Sequence, residues 1–259
     1  MSMQRLDRHY VEKPWGRTDL PAAFGADDAR IGEVWYDSQG AKLPLLLKWL
    51  FTSEKLSIQV HPSDEQAREF GEPSGKEECW IVSATEGDAR IGMGTLKPLS
   101  DAEPREASLS GEIEHLIDWK PVKAGDWFYI PAGTVHAIGA GVTLVEMQQN
   151  ADITYRLYDY GRPRELHLDR GVSAADAKPY DEARCGSLGD ASGQPQLLVD
   201  GPHFRMWYGK GSSAAALNGI GPLWVVPLEG DDAGQVFYGN MSAEDQLPDA
   251  PCLISASLS

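Results

Sequence analysis

Apolar and polar residues alternate with a period of two along most of the first 160 residues, which predicts strands rather than helices. The stretch Leu56-Ser57-Ile58-Gln59-Val60-His61-Pro62 shows it best. Leu56, Ile58 and Val60 fall on one face, Ser57, Gln59 and His61 fall on the other, and Pro62 ends the run. Residues 31–36 form a short strand bearing Glu33 and Trp35. Residues 42–51 are almost all apolar, as expected of a strand buried on both faces, and Lys48 is the anomaly: it either snorkels to an edge or sits in a polar cavity. In residues 76–82, Lys76, Glu78 and Trp80 share a face, opposite Glu77, Cys79 and Ile81. Residues 125–139 read as strand, tight Pro131-Ala132-Gly133 turn and strand. Residues 142–149 place Leu144, Glu146 and Gln148 together, and residues 153–158 do the same for Thr154, Arg156 and Tyr158. Residues 1–30 are polar and turn-rich, with Lys13-Pro14-Trp15-Gly16 as a rigid corner whose Trp15 either closes a core edge or lines a site.

Helical signals are few. Ser63 followed three residues later by Gln66 resembles a capping box and starts a short helix that ends at Gly71. Residues 100–117 form a helical insertion, broken by Pro104 and Gly111, with Leu109, Ile113, Leu116 and Ile117 on its stripe. Residues 171–195, rich in Ala, Asp, Gly and Ser, read as a linker or long loop. Residues 196–259 hold four short β-like runs. The expected organisation is an all-β chain of two units: residues 1–170, and residues 171–259 as a linker with a smaller, degenerate β-domain.

The chain has 259 residues, 39 acidic against 23 basic, for a net charge of -16. That balance disfavours nucleic acid and anionic membranes as partners, although a few local cations can still hold an anionic small molecule. Cys79, Cys185 and Cys252 are odd in number and far apart, so neither a disulfide framework nor a thiolate metal site is indicated. Residues 1–19 lack the apolar core of a signal peptide, and the longest apolar run, residues 43–51, is too short to span a bilayer. A cytoplasmic protein without membrane contact, monomeric or homodimeric, is the expectation.

Four potential metal ligands stand out. Gln59 and His61 lie two apart on one strand face, Glu78 lies on a nearby strand, and His136 follows the tight turn. Nitrogen and oxygen donors without sulfur suit a borderline divalent ion such as zinc. The same residues also fit a plainer reading, in which the two histidines are unrelated turn residues and Gln59 is an ordinary strand amide.

Gly125-x5-Pro131-x4-His136 resembles the second motif of the cupin family, with Ala140 where that pattern ends in Asn. The first cupin motif is replaced by Gln59-x-His61 with Glu78 later. That variant, with Lys76-x-Glu78 and the tail from Glu146 through Gln148, Asp152 and Thr154 to Arg156, is similar to type I mannose-6-phosphate isomerases over about residues 10–170. The resemblance implies a cupin (jelly-roll) barrel and one zinc ion, or another divalent metal, on Gln59, His61, Glu78 and His136. It implies interconversion of mannose 6-phosphate and fructose 6-phosphate through an enediol(ate). It makes Arg156 the active-site arginine and places Lys76 and Ser57 in the substrate pocket. Glu146 or Lys76 could then move the proton, the latter with a pKa lowered by the metal and Arg156. Lys48, Lys76 and Arg162 are candidates for the phosphate, Arg162 also fitting a surface ion pair. The alternatives are a non-catalytic sugar-phosphate-binding or regulatory cupin, and a metal-dependent oxygenase, which would want a more His-rich set.

Overall fold

The computed structural model describes residues 2–25, 28–38, 42–100, 102–242 and 245–258, and their strands stack as three antiparallel sheets. The middle, seven-stranded sheet runs Cys185–Ser187, Asp126–Ile130, Glu78–Thr85, Val142–Gln149, Leu45–Phe51, Ile31–Asp37 and Asp7–Arg17. On one side lies a five-stranded sheet in the order Tyr155–Tyr158, Ile58–Val60, His136–Ile138, Arg90–Thr95 and Ile117–Pro121. These two sheets are the halves of the jelly roll. Among the described residues their hydrogen bonding does not close into one continuous barrel. On the other side lies a six-stranded sheet built from Gln4–Arg5 and five strands beyond residue 195.

Alternation explains the stacking. Trp80, Val82, Leu50, Leu144, Ile91, Met93 and Ile138 fill the space between the first two sheets. Cys79, Ile81, Leu45, Leu47, Trp49, Phe51, Val145 and Met147, one residue out of phase, point the other way and pack against Val199, Phe204, Met206, Trp224 and Leu253 of the six-stranded sheet. Leu45–Phe51 is buried along its whole length, as an apolar run without alternation requires. The outer face of the five-stranded sheet is covered by the helices Asp64–Glu69, Glu103–Ser110 and Leu168–Ala174. Ser63 does form the capping box with Gln66, and the helical insertion is broken at Gly111, which takes a φ of 82°. No helix among the described residues is long and apolar enough to cross a membrane.

Three segments differ from the expectation. Pro251–Ser257, outside the four β-like runs, is a fifth strand of the six-stranded sheet, between Leu223–Pro227 and Phe204–Lys210. Residues 1–30, read as turn-rich, contain the 11-residue strand Asp7–Arg17. It is an edge strand with Pro14 inside it, most of its side chains are wet, and its register slips beside Glu12, so alternation is blurred. Residues 171–195, read as linker or loop, include the end of a helix and the strand Cys185–Ser187, which pairs with Asp126–Ile130 as the other edge of the same sheet. Three residues are too few for a periodic signal.

The cluster between the seven- and six-stranded sheets joins both halves of the chain. Phe204 is fully buried there, and its ring meets Tyr129 edge-on at 6.1 Å. Phe204→Ala is expected to cost about 3–5 kcal/mol and to lower a single melting transition. Two separate transitions, with the metal-binding half melting as in the parent, are the contrary result.

Candidate metal centre and cleft

Ile58–Val60 lies between Tyr155–Tyr158 and His136–Ile138, and its register aligns Arg156, Gln59 and His136 across three strands. Residues directly opposite in antiparallel strands face the same way, so all three point toward the seven-stranded sheet. From that sheet Glu78 points back. His61 Nε2 is 3.2 Å from one Glu78 oxygen and His136 Nε2 is 3.7 Å from the other. The Gln59 amide nitrogen is 3.3 Å from His136 Nε2. His61, Glu78 and His136 are all fully buried, with ligand atoms within 4.8 Å of one another.

The protons of this cluster can be placed by elimination. His61 Nδ1 lies 2.8 Å from the Ile153 carbonyl and His136 Nδ1 lies 2.8 Å from the Thr134 carbonyl. A carbonyl only accepts, so each Nδ1 carries the hydrogen and each Nε2 keeps its lone pair when the ring is neutral. Burial, with Lys76 adding, drives the His61 pKa down to about 3, and burial lowers that of His136, so both rings are neutral. Burial opposes the charge on Glu78, but Lys76 outweighs it and holds the carboxyl well below its ordinary range. Glu78 is ion-paired with Lys76, whose Nζ also lies 3.4 Å from His61 Nε2, but neither carboxylate oxygen has a well-formed hydrogen bond among the described residues. Three electron-rich groups thus converge with Lys76 beside them and no proton of their own between them. Buried charge and lone pairs are costly unless paired, and a divalent cation is the partner that this donor set suits. The residues present therefore fit a bound metal.

Above the cluster opens a cleft of about 370 Å³, with Gln59 and Lys76 at its floor. Lys13, Lys48, Lys76, Arg156 and Arg164 line it against Glu33, Glu146 and Asp152, an excess of positive charge in a chain with a net charge of -16. Charges of alternating sign cross the sheet strand by strand. Lys13 Nζ is 3.3 Å from Glu33 and Lys48 Nζ is 3.2 Å from Glu146, while Lys76 is ion-paired with Glu78. Lys48 also lies 4.7 Å above the Trp35 ring. Arg156 differs: its Nε donates to the Glu165 carbonyl at 3.0 Å, and its two terminal nitrogens have no partner among the described residues.

The sequence-predicted residues come together. Ser57 lies on the cleft wall and donates to Gln59 Oε1 at 3.2 Å; Lys76, Glu146 and Arg156 also line the cleft. Lys48 takes the polar-cavity option. Trp15 is buried and lines the same cleft. Arg162 takes the ion-pair option: it lies outside the cleft, held by Asp159 and the Lys55 carbonyl, while Arg164 occupies the wall. One expectation changes. Tyr158 does not share a face with Arg156, because an irregularity between them shifts the register and turns Tyr158 toward the helix-covered side. The lowered pKa expected of Lys76 belongs to the site with a metal bound beside it. Burial does work in that direction, but without a metal Glu78 and Glu146 outweigh it and raise the pKa above the ordinary value. Burial and Glu78 raise the pKa of Glu146. Lys13, Glu33, Asp152, Arg164 and His167 were not singled out as cleft residues. Glu33 carried the clearest signal, a charge in an otherwise apolar strand.

Comparison with known proteins now bears on this geometry. Residues 22–79 match the family model for the phosphomannose isomerase type I catalytic domain. A mannose-6-phosphate isomerase of Streptococcus mutans is 34% identical over 76% of this chain, and the match spans 64% of that protein's length. The probable mannose-6-phosphate isomerase GmuF of Bacillus subtilis is 32% identical over 82% of this chain and 80% of its own. The crystal structure of the mannose 6-phosphate isomerase from Bacillus subtilis superposes over 99% of this chain and 100% of that one, with a TM-score of 0.80 and 27% identity.

Proposed function

Because the chain belongs to the mannose-6-phosphate isomerase family, we propose that it interconverts mannose 6-phosphate and fructose 6-phosphate. One observation carries the reading: the buried His61–Glu78–His136 cluster opens onto a cleft that holds excess positive charge and an Arg156 whose two terminal nitrogens have no partner among the described residues. Gln59, His61, Glu78 and His136 are the residues that would hold one divalent ion, zinc by the chemistry of its donors. Bound there, it would supply Lewis acidity toward the oxygens of the sugar.

The chain's own residues do the rest. Opening the ring and passing through an enediol requires a proton to leave one carbon and return to the other. Glu146, with its pKa raised by burial, is a stronger base than an exposed carboxylate and takes the carbon-bound proton. Lys76, kept charged by Glu78, donates hydrogen bonds to the oxygens where negative charge grows. Ser57 adds a hydroxyl donor on the same wall. Arg156 cannot serve as a base at neutral pH, so it orients the sugar phosphate and offsets its charge. Lys48, paired with Glu146, serves that carboxylate rather than the phosphate.

We assign this chemistry to residues 1–170 and read residues 171–259 as a smaller β-domain that backs it, in a cytoplasmic monomer or homodimer. A coupled assay with mannose 6-phosphate, before and after chelation, tests the reading. Turnover lost with chelator and regained with zinc is expected, and a metal-loaded protein that shows no turnover overturns it.

A further inference from the structure

Glu78 has a cross-strand neighbour to which the chemistry above gives no work. Gln148 stands opposite it in register and so on the same face, with 0% of its surface exposed. Its Nε2 donates to the carbonyls of Gln149 and Ala151, both at 2.8 Å. Those bonds use both amide protons and settle which end of the amide is which, since carbonyls only accept. Oε1 is left buried without a donor among the described residues. Leaving a desolvated amide oxygen unpaired is costly, and such a group in a folded protein calls for a partner from outside the chain.

The neighbouring chain gives the amide a second role. The turn that Gln148 clasps leads directly to Ile153, whose carbonyl sets the tautomer and orientation of His61. Gln149, next in sequence and facing the other way, bonds the Glu77 backbone on both sides. It receives the Glu77 N–H on its side-chain oxygen at 2.9 Å and donates its own N–H to the Glu77 carbonyl at 3.1 Å. The two glutamines together tie the His61 side of the cluster to the Lys76–Glu78 side.

We propose that Gln148 is a positioning residue for the metal: its Nε2 anchors the turn that orients His61, and its Oε1 accepts a hydrogen bond from a water molecule that enters with the divalent cation. The inference rests on the metal site of the proposed function. Glu78 and Glu146 already bring two carboxylates to this face, and an amide adds an acceptor without a third negative charge.

The test reads metal binding rather than turnover. Gln148→Met keeps the length of the side chain and removes both amide functions. Its affinity for Zn2+ and Co2+, from chelator competition, is expected to fall by about 10–100-fold, and the visible absorption of the Co2+-loaded protein is expected to shift. Ile81→Val, on the opposite face of the adjacent strand, is expected to lower the melting temperature while leaving affinity and spectrum unchanged, which separates positioning from general stability. Should Gln148→Met fail to fold, Gln148→Glu keeps an oxygen and adds charge. Its Co2+ spectrum is then expected to differ from the parent's, and its melting temperature to rise more on metal addition. Affinity within twofold of the parent and a superimposable spectrum in Gln148→Met, or a superimposable spectrum in Gln148→Glu where that variant must stand in, overturn the proposal. A parent protein that takes up neither metal overturns the metal site itself, and this inference with it.

Discussion

Replacing Glu78 by Gln is expected to empty the metal centre and to reduce isomerase turnover by about 1,000-fold or more. Glu78 supplies the only negative charge of the four-residue set; His61 and His136 are neutral and Gln59 is an amide. Without it a divalent ion loses its charge partner in a buried site. Losing several kcal/mol of oxyanion stabilisation, taken as about 4 kcal/mol, corresponds to about 1,000-fold at 1.36 kcal/mol per decade. Stability falls as well, because buried Lys76 loses the carboxylate that offsets its charge, and breaking a buried pair on one side costs about 3–5 kcal/mol. His136→Ala separates the two effects. It removes a ligand but leaves the Lys76–Glu78 pair, so metal and turnover are lost with a smaller drop in melting temperature. Metal content by mass spectrometry, thermal melts and the coupled assay read the three quantities independently. Full metal occupancy and turnover in Glu78→Gln show that the cluster is not the catalytic centre.

The residues that line the cleft were more legible in the sequence than the edges of the sheet that holds them, and the reason is physical. A strand face that carries Ser57, Gln59 and His61 opposite Leu56, Ile58 and Val60 breaks the rule that one face goes to the core and the other to water, because here Ser57 and His61 are buried and Gln59 is half-buried. Lys48 in Leu45–Phe51 and Glu146 in Val142–Gln149 are charges inside fully buried strands, and the structure pairs them at 3.2 Å. Such residues stand out because burying them costs so much that each needs a specific partner. Edge strands carry the opposite signal. Asp7–Arg17 is largely exposed or half-buried and Cys185–Ser187 is short, so neither has the apolar alternation that identifies a strand, yet together they bound the central sheet. The register shift after Arg156 is invisible for a related reason: one extra residue in a strand leaves the composition unchanged while it reverses every side chain beyond it. The shared core is not local at all. Gln4–Arg5 pairs with Phe237–Gly239, more than two hundred residues away, and no periodicity within either segment encodes that pairing.

Arg156→Ala is expected to leave the metal in place and to lower turnover by about 100–1,000-fold, the range for removing one well-placed donor at a centre of developing charge. Arg156 reaches the cluster only through strand register with Gln59, and its side chain bonds no ligand atom. It is partly exposed at the cleft wall, and its one side-chain hydrogen bond among the described residues is to the Glu165 carbonyl, so its loss costs the fold little. Burial and the nearby Arg164 lower its pKa, but a guanidinium starts so high that it stays charged throughout the neutral range. A charged group that does not titrate shifts the height of a pH–rate profile and not its shape, so the profile of Arg156→Ala is expected to keep the parent's inflections. Arg156→Lys restores the charge but not the planar pair of free nitrogens, and it is expected to recover only part of the loss. Steady-state kcat and KM for mannose 6-phosphate, measured beside metal content, decide the matter. Unchanged metal with depressed kcat and raised KM supports a role in holding the sugar phosphate through the reaction, and full activity in Arg156→Ala removes Arg156 from the mechanism.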